Sequence, residues 1–294
     1  MQCPKCQFEH EAQTTECLRC GIIFRKYVPE PKVIEVAPLT VEEEAMLQAR
    51  QEDRQELILR MFALPATLLL ARGAVYLSPS AVRMLSMWLH EFGHAITAWL
   101  CGFSAMPGPW FTSVDPDRSR ATTVLFVGLI GFGGFRAWQK DRWFWIGAGA
   151  AVLIVLLVCT VGLYSDQAHQ LIIFGGDAGC FVLGSLLMVT FYSRRDHAFC
   201  RNGLRWGFLV IGALSFMDVW AIWSGGLQNV PFGENENGMS DPSVLTELYG
   251  WKVQVLIARY YKLAVVCLMA LAVVYAGGLA RLLLNRSAAK TFQG

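Results

Sequence analysis

The run Ala81-Val82-Arg83-Met84-Leu85-Ser86-Met87-Trp88-Leu89-His90-Glu91-Phe92-Gly93-His94-Ala95-Ile96-Thr97-Ala98-Trp99-Leu100-Cys101 decides how this chain is read. It is mostly apolar and long enough to approach the ~30 Å of a bilayer core as a helix. Yet it carries His90, Glu91 and His94 in the pattern His-Glu-x-x-His. Positions four apart on a helix are offset by only about 40°, so His90 and His94 reach one metal ion from a single face. Glu91, beside the first histidine, approaches a metal-bound water on the same rim. Two imidazoles and a carboxylate are costly in an apolar helix unless paired, metal-bound or facing a polar cavity. The bland alternative is that hydrogen bonds within a packed bundle satisfy all three.

The chain around this run is built for lipid. Of its 294 residues 54% are hydrophobic and 16% charged, with a mean hydropathy of +0.40, whereas soluble domains average about 25% charged residues. This balance excludes a disordered chain, and a net charge of +2 is too small to argue for a nucleic-acid partner. Residues 1–60 hold 11 of the 23 acidic and 8 of the 25 basic residues, while Trp143 to Leu163 carries no charge. The fold class expected is therefore an all-α polytopic membrane protein with six to seven transmembrane helices. Apolar segments stand at 61–79, 81–101, 122–138, 143–163, 169–192, 206–223 and 260–284.

Lys and Arg concentrate on the cytoplasmic side of short loops. The strongest cluster is Arg194, Arg195, Arg201 and Arg205, and Arg281, Arg286 and Lys290 follow the last segment. If both chain ends are cytoplasmic, the crossings must be even in number. Segment 61–79 contains Pro65 and Arg72 and is the one to demote to an interfacial or re-entrant element. Six spans then place Lys140, Arg142, the arginine cluster and the tail inside, and the acidic 224–254 connection outside, in an inner or plasma membrane. Trp143, Phe144 and Trp145, and Trp220 with Trp223, read as interfacial anchors. Gly128, Gly131, Gly133 and Gly134 read as packing positions, or as a place where a substrate helix approaches.

The N-terminus reads Cys3-Pro-Lys-Cys6, ten residues, then Cys17-Leu-Arg-Cys20-Gly21. Two CxxC knuckles turn four thiolates towards one tetrahedral ion, and a segment so short has no core without metal. The other five cysteines are scattered singly, unlike a secreted disulfide framework. The first six residues lack the basic start and apolar core of a signal peptide. The motif resembles a rubredoxin-like zinc ribbon over residues 1–27, which implies a structural Zn2+ on Cys3, Cys6, Cys17 and Cys20. Residues 28–60 follow as a proline-bearing linker (Pro29, Pro31, Pro38) and a charged cytosolic helix opened by Thr40 and Glu43, and residues 61–294 form the membrane domain.

A catalytic zinc generally takes three protein ligands. Asp177, in Phe174-Gly175-Gly176-Asp177-Ala178-Gly179, is the leading third ligand, and its glycines allow close approach to the His-Glu-x-x-His helix. Asp218 and His169 are the alternatives. If Asp218 is structural it pairs with a polar group or an arginine such as Arg136. Over residues 81–192 the chain resembles the site-2-protease family of intramembrane zinc metallopeptidases. Carried over residue by residue, the resemblance implies His90, His94 and Asp177 as ligands of a catalytic Zn2+ and Glu91 as the base. The later motif reads Gly-Gly-Asp where the family has Asp-Gly, and no PDZ insertion is visible. The resemblance implies a zinc endopeptidase that cleaves a membrane-protein substrate within the bilayer. A ribbon-bearing membrane adaptor that binds a cytosolic protein, or a metal transporter, is the competing reading, and neither needs a glutamate directly after the first histidine.

Overall fold

A computed structural model describes residues 1–9, 11, 14–26, 40–193, 203–235 and 238–291, with the backbone alone at 42–43 and 285–291. The proline linker at 28–39 and Arg194, Arg195 and Arg201 lie outside the described residues, as do the side chains of Arg286 and Lys290. The chain divides into two compact units, Met1–Gln51 and Glu52–Gly294.

In the first unit each CxxC forms a tight knuckle. The Cys3 N–H bonds the Phe8 carbonyl and the Cys17 N–H bonds the Ile22 carbonyl, both at 2.9 Å. The residue after each second cysteine is left-handed, with Gln7 at φ 57° and Gly21 at φ 69°. Glycine adopts that conformation at no steric cost, so Gly21 suits its place better than Gln7 suits the matching one.

The second unit is a helical membrane protein. Helix α1 (Val41–Leu77) enters it from the charged N-terminal stretch and runs unbroken through Pro65, so the separate 40–60 and 61–79 elements read from the sequence are one helix. Helix α2 (Pro79–Leu100) carries the His-Glu-x-x-His motif. Strands β1 (Phe103–Pro107) and β2 (Thr112–Arg118) form an antiparallel hairpin between the apolar segments 81–101 and 122–138. Helices α3 (Arg120–Trp138), α4 (Trp143–Gly162), α5 (Ser165–Val189), α6 (Leu204–Ser224) and α7 (Val253–Thr291) follow among the described residues. Between α6 and α7 lie a two-residue hairpin, β3 (Glu234–Asn235) with β4 (Gly238–Met239), and a short helical turn at Asp241–Ser243 that passes into a π-helical turn at Val244–Leu248.

Among the described residues six helices are long and apolar enough to cross a bilayer: Glu44–Leu77, Arg120–Trp138, Trp143–Gly162, Ser165–Tyr192, Leu204–Ser224 and Val253–Leu284. The chain is an integral membrane protein. Helix α2 is not among the six, because Arg83, His90, Glu91 and His94 lower its hydropathy, but its contacts place it beside a helix that is. The Cys180 thiol bonds the Ser86 carbonyl, and His94 Nδ1 meets the Ile172 carbonyl, so α2 runs antiparallel along α5. Its N-terminus therefore points towards the C-terminal end of α5. At that same end Arg60 of α1 donates to the carbonyls of Tyr192 and Ser193. The apolar half of α1 thus begins near that end of α5, burying Leu57, Leu64, Ala71 and Val75 at helical spacing.

The centre of the unit is α2, α5 and α6, and small residues set its spacing. A Cβ on Gly179 would sit 2.4 Å from Gly93 Cα, and one on Gly212 would sit 2.5 Å from the Gly184 carbonyl oxygen. Phe181, Phe216, Trp223 and Tyr260 fill the core, each at most 2% exposed. Trp223 is thereby not an interfacial anchor: its N–H donates to a buried carboxylate, which only a buried position allows. Trp143, Phe144 and Trp145 are exposed at the start of α4. A Cβ on Gly128, Gly131, Gly133 or Gly134 would meet no heavy atom within 4 Å, so these residues are not packing contacts among the described residues.

Candidate metal centre

Four cysteine sulfurs of the ribbon converge. Cys3 Sγ lies 3.7 Å from Cys20 Sγ, and Cys6 Sγ lies 3.5 Å from Cys17 Sγ. A tetrahedral ion with metal–sulfur bonds of about 2.3 Å requires sulfur separations of about 3.8 Å, so the cluster matches a four-cysteine zinc site. Burial opposes ionisation of Cys17, but the backbone N–H groups of Cys20 and Arg19 and the thiols of Cys20 and Cys3 bring it down to about 5. Burial and the Cys17 thiol push Cys20 up to about 12. Closely spaced thiols that ionise unequally are brought to a common thiolate state by a cation.

The second centre forms where α2 lies against α5. His94 Nδ1 is 2.7 Å from the Ile172 carbonyl oxygen, which can only accept, so that nitrogen carries the proton. His90 Nδ1 is 2.9 Å from Asp177 Oδ1, a carboxylate acceptor, and is protonated for the same reason. Both rings then turn Nε2 inward. The two Nε2 atoms are 3.1 Å apart, and each is 3.1 Å from Asp241 Oδ2. That oxygen is buried with no hydrogen-bond partner. Two Nε2 atoms facing one another at this distance cannot both carry hydrogen, and one proton cannot satisfy three lone pairs. A cation at the centre satisfies all three: metal–nitrogen bonds of about 2.0 Å imply ligand separations of about 3.3 Å in a tetrahedron. A Cβ on Gly176 would fall 2.6 Å from both His90 Cε1 and His94 Nε2, so α5 must have glycine where it passes the imidazoles.

The structure brings His90, His94 and Asp241 together and sets Asp177 behind His90. Asp177 cannot also face His94, because its Oδ1 holds His90 Nδ1 and its Oδ2 accepts from Trp223 Nε1 at 2.8 Å. It stands where an outer carboxylate orients a metal-ligating imidazole. Of the two alternatives, Asp218 Oδ2 lies 3.0 Å from Arg83 Nη1 and accepts from the Ser86 hydroxyl, so its arginine partner is Arg83 rather than Arg136. His169 bonds the Ser165 carbonyl and stacks edge-on to Phe103. Asp241 was missed because it stands in the acidic connection rather than in an apolar segment. The one local clue is Ser240-Asp241-Pro242, a cap-and-proline pattern that opens a helical turn.

Glu91 is 4% exposed. The Thr112 hydroxyl on β2 lies 2.7 Å from Glu91 Oε2 and 2.9 Å from the Glu91 carbonyl oxygen, which orients the side chain from the hairpin. His90, Glu91, His94 and Asp241 all line one cavity of 690 Å³. Its walls include Trp110 and Phe111 from the hairpin and Phe232 and Met239 from the α6–α7 connection. This volume lies within the range of ordinary ligand pockets, and aromatic and aliphatic side chains form much of its wall.

In comparison with known proteins, the chain is 32% identical over 104 residues to the curated protein named "Putative zinc metalloprotease Rip2" from Mycolicibacterium smegmatis, strain ATCC 700084 / mc(2)155. The match covers 29% of this chain and 40% of the relative, so the chain spans less than half the length of that relative. No protein-family model matches the chain. No solved structure matches it either.

Proposed function

We propose that this protein is an intramembrane zinc endopeptidase of the site-2-protease kind, holding one catalytic zinc on His90, His94 and Asp241 and one structural zinc on the four ribbon cysteines. The observation that carries the reading is the meeting of three lone pairs at 3.1 Å beside a buried, partnerless Asp241 oxygen. The similarity to a named zinc metalloprotease supports it. Zinc in such a site supplies Lewis acidity, lowering the pKa of water and polarising a carbonyl.

The chain's own residues supply the rest. Glu91 takes the proton from the attacking water and passes it to the leaving nitrogen. The Thr112 hydroxyl fixes Glu91 Oε2, so the carboxylate is oriented before substrate arrives. Asp177 holds the His90 proton on Nδ1 and keeps Nε2 available as a ligand. A transmembrane substrate must unwind locally to present its carbonyl, because helical carbonyls are already hydrogen-bonded. The cavity between the hairpin and the α6–α7 connection receives that extended segment.

We read α2 to α7 as six crossings, with the apolar half of α1 lying along one face. We take the ribbon as cytoplasmic, and the bias of Lys and Arg supports the α3–α4 connection and the tail on that same side of an inner or plasma membrane. The connection bearing Asp241 then lies on the other side. The ribbon is free in this reading to bind a cytosolic protein. The test of the enzyme is Glu91→Gln in full-length protein reconstituted with a transmembrane substrate. Zinc content should be unchanged while cleavage falls by at least the ~10²-fold expected of a lost general base. Cleavage at the wild-type rate would refute the peptidase.

A further inference from the structure

Arg83 lies seven residues before His90, two helical turns away on the same face of α2. A guanidinium in an apolar helix is costly unless paired, and this one is paired twice. Its Nη1 is 3.0 Å from Asp218 Oδ2 on α6, and its Nη2 is 3.6 Å from Asp177 Oδ1 on α5. Asp177 Oδ1 is also the atom that accepts from His90 Nδ1 at 2.9 Å. A continuous polar chain therefore runs Asp218, Arg83, Asp177, His90 through three helices, and both aspartates are at most 5% exposed.

We infer that Arg83 is a positioning residue for the metal centre, acting through Asp177 to orient His90. The inference rests on the metal site proposed above and extends it one layer outward. Asp177 orients the imidazole only if its carboxylate is itself fixed and charge-balanced, and an isolated buried carboxylate is neither. Trp223 fixes one oxygen by a neutral hydrogen bond, and Arg83 provides the positive charge beside the other. Asp218, which itself accepts from the Ser86 hydroxyl, holds the far side of the guanidinium where it borders the cavity. The arrangement uses the separate nitrogens of arginine to join two carboxylates on different helices.

The measurement is zinc affinity of the full-length protein in detergent, by competition with a chelator, with the ribbon zinc counted separately. The proteins are wild type, Arg83→Gln, Arg83→Lys, Asp177→Asn, the double variant Arg83→Gln/Asp177→Asn, and His94→Ala. Arg83→Gln should weaken the second zinc about 10- to 100-fold, the usual effect of losing an outer partner of a metal ligand. Arg83→Lys, which keeps the charge but has one nitrogen to share between two carboxylates, should recover part of it. In the Asp177→Asn background the loss of Arg83 should cost less than about 2-fold more, since its route to His90 is already cut. Wild-type affinity in Arg83→Gln, or an equal further loss in the Asp177→Asn background, would overturn the inference. If Arg83→Gln does not fold, Arg83→Lys measured in the wild-type and Asp177→Asn backgrounds closes the same cycle: weakening of the second zinc by the lysine in the first background but not in the second is expected, and an equal effect in both would overturn the inference. A wild type that takes up no second zinc, or one unaffected by His94→Ala, overturns the metal site itself and the Arg83 role with it.

Discussion

Each imidazole of the centre has its Nδ1 engaged by a group that can only accept, and the engagement differs between the two. His94 rests on a backbone carbonyl, which no side-chain substitution removes, whereas His90 rests on Asp177. Asp177→Asn should therefore weaken the second zinc about 10- to 100-fold without abolishing it, measured by chelator competition; loss as complete as in His94→Ala would make Asp177 a direct ligand. In the proposed mechanism Thr112 acts on Glu91 alone. Thr112→Val should leave zinc content unchanged and lower cleavage, because the Glu91 carboxylate loses its one described side-chain donor; unchanged cleavage would show that the hairpin does not orient the base. At this scale the sequence exposed the histidines and Glu91 through their spacing, and exposed Asp177 and Asp218 as acids out of place in apolar segments. It hid Asp241, because an aspartate in a charged connection costs nothing to place there and so attracts no notice. It also hid Trp223, since an indole N–H bonded to a buried carboxylate has the same one-letter code as an anchor at the membrane surface.

Helix α5 approaches α2 so closely because its glycines alternate between backbone contact and imidazole contact. Gly175 and Gly179 meet the backbone and Thr97 of α2, and Gly176 meets His90 and His94. Gly176→Ala should lose the second zinc and destabilise the fold by about 1–3 kcal/mol, the usual cost of overpacking a close contact. Zinc content and thermal unfolding of the detergent-solubilised protein check both halves. Retention of zinc by that variant would mean that α5 moves away from the imidazoles more easily than the contacts indicate. Helices were legible wherever apolar runs were long. The β1–β2 hairpin was not, because Phe103–Pro107 and Thr112–Arg118 contain two prolines and little alternation, and the bonds that tie it to α2, from Trp99 Nε1 to the Ala105 carbonyl and from the Thr112 hydroxyl to the Glu91 carbonyl, join residues whose meeting no local pattern announces. The division between a charged helix at 40–60 and an apolar element at 61–79 failed because Pro65 costs one backbone hydrogen bond and the neighbouring turns hold the helix together.

Over the whole molecule, the six-crossing arrangement puts the Asp241 connection and the α3–α4 connection on opposite sides. Single cysteines at Glu234 and at Lys140, in a background lacking Cys101, Cys159, Cys180, Cys200 and Cys267, should label from opposite faces of sealed vesicles. Labelling of both from one face would reject that arrangement. The proposed ligand set is the feature on which the proposed function and the role inferred for Arg83 both depend. In the structure Asp241 from a connection meets His90 and His94 from a helix, and the sequence pointed elsewhere for the third. Zinc content per chain of purified full-length wild type, Asp241→Ala and Asp177→Ala, with the ribbon intact, tests it most directly. Two zinc ions in wild type and one in Asp241→Ala, with Asp177→Ala retaining a weakened second ion, is the expected result. Two ions in Asp241→Ala and one in Asp177→Ala would contradict it.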